Sequence, residues 1–127
     1  MPTGLQHPDI IDEVAHHAKD DTVVLTIRED TAWDGSDERI AALRAKINTY
    51  VAFVVQGQLA KEYPDLVGKS IVISLRCIQH RPDEKTMRFL DEANAKVARY
   101  RIQIRVFIIE VAQPKARQRG GPWWKIW

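Results

Sequence analysis

A single cysteine stands among 127 residues, so no internal disulfide is available and an apolar core must hold the chain together. Cys77 lies in a strand-like run, which predicts a buried structural thiol rather than a nucleophile. A lone unpaired thiol also fits a reducing cytoplasm. No apolar run approaches the roughly 18 residues that span a bilayer. The stretch from Met1 to Asp9 has neither a basic start nor an apolar core, so no secretory signal is expected. There is no Gly-x-Ser-x-Gly, no dinucleotide fingerprint and no Gly-rich phosphate loop, and Gly120-Gly121 precede Pro122 without opening a helix. The four histidines, His7, His16, His17 and His80, match no zinc spacing, and the adjacent His16 and His17 would face opposite ways on a strand. Neither a metal nor another cofactor is expected.

The composition is ordinary for one globular domain, with 45% apolar and 28% charged residues. The net charge of +2 hides an asymmetry. Residues 1–38 carry ten acids against Lys19 and Arg28, for a net of −8, and residues 39–127 carry seven acids against seventeen bases, for +10. One reading is a basic surface for an acidic partner. The simpler reading is that the two parts complement each other inside one fold, or between subunits.

The pattern predicts β-β-α-β-α-β. Asp9–Ala15 reads as a short strand, His16–Asp21 as a turn, and Thr22–Glu29 as a strand rich in β-branched residues. Asp30–Ser36 reads as a loop in which Asp34 or Ser36 caps a helix. Ile40, Leu43, Ile47, Tyr50 and Val54 recur at helical spacing. Gly57 weakens or ends that helix, and Pro64 stops any further turn over Leu59–Tyr63. Lys69–Cys77 reads as a strand. A turn with Pro82 suited to the first helical turn leads into a helix over Asp83–Arg99, burying Met87, Leu90, Ala93, Val97 and Tyr100. Ile102–Val111 is the last strand. The fold class is therefore α+β, a two-layer arrangement in which a four-stranded mixed sheet carries two helices mainly on one face. Residues 1–112 form the domain, and residues 113–127 form a basic, Trp-rich tail.

Period-two alternation leaves a second sheet face with Val24, Arg28, Val72, Arg76, Arg105, Phe107 and Ile109. A half-apolar open face often marks a contact surface. The tail ends in Trp123, Trp124 and Trp127, three of the four tryptophans. Chain ends are usually polar, and this much aromatic area at one of them predicts docking. The expected surface is Arg28, Arg76, Arg105 and Phe107, on the same chain or on a symmetry mate.

Asp30, Trp33, Asp34 and His80 form a candidate ligand loop at the strand ends, where ligands bind in α/β sheets. Capping and turn formation already explain Asp34, Asp37 and Glu38 there. Pro82-Asp83-Glu84-Lys85 superficially resembles the short motif of restriction-type nucleases, but those enzymes place the acids on separate strands. Lys115, Arg117 and Arg119 beside the tail tryptophans would suit nucleic acid, yet the sheet face lacks the exposed aromatics that RNA-binding sheets use. A membrane surface would want a longer amphipathic segment.

The segments His7–Asp12, Val23–Ile27, Asp30-Thr-Ala-Trp33, Lys46–Tyr50, Gly57–Leu59, Tyr63-Pro64, Lys69–Ile73, Pro82–Glu84 and Phe89-Leu90 together resemble a family of small bacterial proteins of unknown function. The resemblance covers roughly residues 7–110 and not the tail. It implies one compact α/β domain in the bacterial cytoplasm and brings no active site with it.

These readings favour a non-catalytic interaction domain, most simply a homodimer or the partner of another protein. A toxin-neutralising or immunity protein is a version of that expectation. A small-ligand protein or enzyme using the Asp30–Glu38 loop is the alternative, with nucleic acid and membrane surfaces disfavoured.

Overall fold

Strands rich in isoleucine, valine and leucine make the sheet, and residues 4–110 are described by the computed structural model. The strands are β1 (Glu13–His17), β2 (Thr22–Glu29), β3 (Ser70–Ile78) and β4 (Ile102–Ile109), in spatial order β1-β2-β3-β4. β1 pairs antiparallel with β2, while β2, β3 and β4 run parallel. Helix α1 (Asp37–Val55) joins β2 to β3 together with the short α2 (Gln58–Glu62), and α3 (Glu84–Val97) joins β3 to β4. Both crossovers step the same way along the sheet, and with the usual right-handed connection this places α1 and α3 on one face, where they share one core. This is the two-layer α+β arrangement that the sequence predicts. No helix among the described residues is long and apolar enough to cross a membrane.

The core sits between the helices and the sheet. Val23, Leu25, Ile27, Ile71, Ile73, Leu75 and Cys77 meet Leu43, Ile47 and Tyr50 from α1, and Leu90 and Val97 from α3. Ser36 caps α1 by accepting from the Arg39 N–H at 3.2 Å, and Asp34 accepts from the Ser36 N–H at 2.9 Å. Asp83 caps α3, accepting from the Thr86 N–H at 3.0 Å and the Thr86 hydroxyl at 2.6 Å. Both caps satisfy helix-end donors that would otherwise lack partners.

Several expectations shift. β1 begins at Glu13 rather than Asp9, so His16 and His17 belong to the strand and not to the turn. The preceding segment is held by the side chains of Lys46 and Tyr50 instead of a strand ladder. Gly57 (φ +90) ends α1 and starts α2, a separate short helix. Pro82 precedes the cap instead of lying in the first turn of α3. On α3, Thr86 is buried while Met87 and Tyr100 are exposed. The Asp83 cap turns Thr86 inward, and Tyr100 falls in a single 3-10 turn (Ala98–Tyr100) after the helix ends.

Candidate functional site

The sheet face that none of the described helices covers is built by register. Arg28, Arg76 and Phe107 are neighbours across β2, β3 and β4, and the next row holds Thr26, Ser74 and Arg105. Ile78 and Ile109 pair at the end of the face. Thr26 and Ser74 are buried at the centre, whereas Phe107 is 43% exposed and Ile109 37%. Arg28, Arg76 and Arg105 are exposed, and among the described residues none of the three has a carboxylate partner. Arg105 Nε donates to Gln103 Oε1 at 3.1 Å. Adjacent like charges on neighbouring strands repel each other. The face therefore presents unneutralised guanidinium groups beside apolar area, a surface suited to carboxylate and aromatic groups. Trp123, Trp124 and Trp127 lie outside the described residues.

Part of the acidic N-terminal third is paired within the fold. Four ion pairs join an acid from residues 1–38 to a base from the rest: Asp12–Lys46 at 2.7 Å, Asp21–Lys69 at 2.9 Å, Glu29–Arg39 at 2.6 Å and Asp37–Lys85 at 2.9 Å. The charge asymmetry thus complements itself in part within one chain.

The first of these pairs is fully buried. Lys46 Nζ donates to His7 O, Ile10 O and Asp12 Oδ1, each at 2.7 Å. Asp12 Oδ2 accepts from the Gly4 N–H at 3.0 Å and the Arg28 N–H at 2.9 Å. Tyr50 Oη accepts from the Asp12 N–H at 2.8 Å and donates to Thr26 O. All three ammonium donors are used, so Lys46 fastens the segment before β1 over the edge of the core. Sequence reading missed this knot. The signal was a lysine on the apolar stripe of α1, between Leu43, Ile47 and Tyr50.

The candidate ligand loop reads differently in three dimensions. Glu29 and Cys77 are register partners at the carboxyl ends of β2 and β3. Trp33 is buried there, with the Arg39 guanidinium 4.7 Å from its ring centroid. Arg39 Nη1 meets Glu29 Oε2 as an ion pair rather than an aligned hydrogen bond. The Trp33 N–H has no hydrogen-bond partner among the described residues. Burial pushes the Cys77 thiol up to about 11, against a smaller downward pull from Trp33. The crevice position at the strand ends is filled by an indole, and the thiol beneath it is protonated at neutral pH. Asp30, Asp34 and His80 are exposed, and no hydrogen bond or ion pair joins them to one another. Asp34 is held below the usual carboxylate range by the Ser36 N–H and hydroxyl, which marks it as a turn residue.

A groove of about 180 Å³ runs between α1 and α3, lined by Ile47, Asn48, Phe89, Ala93 and Val97 with Arg44 at its side. Arg44 stacks on Phe89 at 5.1 Å. Among the described residues no three histidine, cysteine or acidic side chains are grouped to hold a metal ion.

The described residues define a two-layer α+β domain with one sheet face covered by helices and the other left open among them. The chain belongs to the family of unknown function DUF6572, whose pattern matches residues 3–110. No curated protein and no solved structure matches the chain.

Proposed function

We propose that this protein is a non-catalytic interaction domain that self-associates in the bacterial cytoplasm, with the open sheet face as its contact surface. The observation that carries this reading is the row Arg28–Arg76–Phe107, exposed and without a carboxylate partner among the described residues. Unneutralised arginines beside an exposed phenylalanine favour an occupant with aromatic rings and carboxylates. The chain carries aromatic groups of this kind in its own terminal segment: Trp123, Trp124 and Trp127. The buried charges support a structural rather than catalytic role for the interior, because Lys46 and Asp12 have their hydrogen-bonding capacity engaged by the fold.

The test is fluorescence of the full chain carrying Trp33→Phe, in which the tail tryptophans are the only indoles. Docking on the face predicts a blue-shifted emission protected from iodide. Adding Arg76→Glu and Phe107→Glu is expected to shift the emission red and restore quenching. Emission equal to that of a free peptide of residues 113–127, before and after the face is altered, overturns the reading.

A further inference from the structure

The two edges of the sheet are guarded unequally. β1 is short and carries Glu13, His16 and His17, the charged and polar residues that discourage edge pairing. β4 is longer and ends in Val106-Phe107-Ile108-Ile109. Its hydrogen-bonding direction is fixed by its partners. Arg101 O accepts from the Ile71 N–H at 3.2 Å, and Ile109 O accepts from the Gln79 N–H at 2.7 Å, so odd-numbered residues of β4 face β3. Even-numbered residues therefore turn their N–H and C=O groups away from the sheet. At Ile104 that outward N–H is already taken, donating to Asn94 Oδ1 of α3 at 2.8 Å. The outward N–H groups of Val106 and Ile108 have no such partner among the described residues. Asn94 closes the edge at one point and leaves the apolar half open.

We infer that the open half of β4 pairs antiparallel with β4 of a second copy, centred on Phe107, so that two four-stranded sheets become one of eight strands. This rests on the self-association proposed above and names the element that carries it. The occupant is set by the strand itself. A two-fold axis at Phe107 sets Val106 opposite Ile108 of the other copy and Ile108 opposite its Val106. Each such pair exchanges two hydrogen bonds and leaves the occupied Ile104 N–H out of the ladder. On the open face Phe107 then lies against its own symmetry mate, in the closely spaced non-hydrogen-bonded position where aromatic pairs interact best. The chain's own next segment is a poorer strand: Gln113-Pro114-Lys115-Ala116-Arg117 is charged and contains a proline that has no N–H to donate.

Light scattering and cysteine trapping on the full chain test this. The wild-type chain is expected to be a dimer. Val106→Pro removes one outward donor without touching the bonds to β3. It should weaken dimerisation at least tenfold while the far-ultraviolet dichroism stays unchanged. Phe107→Cys should give a disulfide-linked dimer under mild oxidation. Ile109→Cys should not, because it faces Arg105 of the other copy. The buried Cys77 of the wild-type chain serves as the unlinked control. A monomer at all concentrations overturns the inference. So does a dimer that resists Val106→Pro and is trapped at 109 rather than 107, or at neither. A monomer overturns the self-association reading as well, whereas a dimer that fails the Val106→Pro and trapping tests overturns the β4 pairing alone.

Discussion

Lys46 Nζ lies 2.7 Å from Asp12 Oδ1, with the two side chains 0% and 1% exposed. The pair connects the middle of α1 to the residue just before β1, across 34 positions of sequence. Such a pair is costly to desolvate and is tolerated because Asp12 also accepts from two backbone N–H groups and Lys46 donates to two carbonyls. Lys46→Met should cost about 3–5 kcal/mol, because it strands a buried carboxylate. Asp12→Asn added to Lys46→Met should recover part of that loss by removing the stranded charge. Urea denaturation of the single and double variants measures both effects, and strict additivity would contradict the pairing.

Tyr50 ties the same segment to the sheet. Its hydroxyl accepts from the Asp12 N–H and donates to Thr26 O, so Tyr50→Phe orphans a part-buried N–H and a buried carbonyl at a cost of about 1–3 kcal/mol. Burial pushes the phenol well above the ordinary tyrosine range. A raised phenol stabilises the fold at pH below its unfolded value near 10, and the stabilisation is lost as pH rises toward the folded value. The phenolate absorbance of Tyr50 should therefore appear together with alkaline unfolding, and Tyr50→Phe should remove that step.

Cys77 should be inert in the folded protein. Its thiol is buried beneath Trp33 and pushed up to about 11, so little thiolate exists at neutral pH. Labelling by a thiol reagent at pH 8 should follow the rate of global or local opening and become fast in denaturant. Trp33→Ala should uncover the sulfur and accelerate labelling at least tenfold, read by a stopped-flow thiol assay. Labelling of the wild type as fast as a free peptide would contradict the buried geometry.

The loop before α1 leans on the cap of α3. Gly35 has φ +70, and a β-carbon there would come within 2.8 Å of Asp83 Oδ2. Gly35→Ala should cost about 1–3 kcal/mol through backbone strain and contact with that carboxylate. Asp83→Ala should cost about 1 kcal/mol as a lost cap. The double variant, measured by the same urea denaturation, should cost less than the sum, because the alanine methyl no longer meets the carboxylate.

Acid stability draws on several such carboxyls. Asp83 is held below the usual range by the Thr86 hydroxyl and N–H, Asp37 by Lys85, and Asp21 by Lys69 and His16. A lowered carboxyl stabilises the fold at pH above its unfolded value, and the contribution is lost as pH falls through the folded value. The melting temperature should drop below about pH 4, and Asp83→Asn should reduce that drop while keeping a side chain able to cap α3.

The amino-acid sequence by itself determined the element order and the covered sheet face. Period-two runs of isoleucine, valine and leucine in β2, β3 and β4, and a three-to-four spacing in α1, state which side each element must bury. The open row Arg28–Arg76–Phe107 was legible for the same reason, since alternation assigns faces before any contact is known. What only the tertiary structure decided are interactions between residues far apart in the chain. Asp9–Ala15 looks like a strand locally, yet its first part is fixed by Lys46 and Tyr50 from α1. Trp33 looks like a loop aromatic open to a ligand, yet it fills the space above Glu29 and Cys77. The closing of the β4 edge at Ile104 depends on Asn94, ten residues earlier on a different element. Local patterning sets which face is apolar. Which polar group finishes a hydrogen bond across the core depends on how helices and strands are brought together, and that information is absent from any local window.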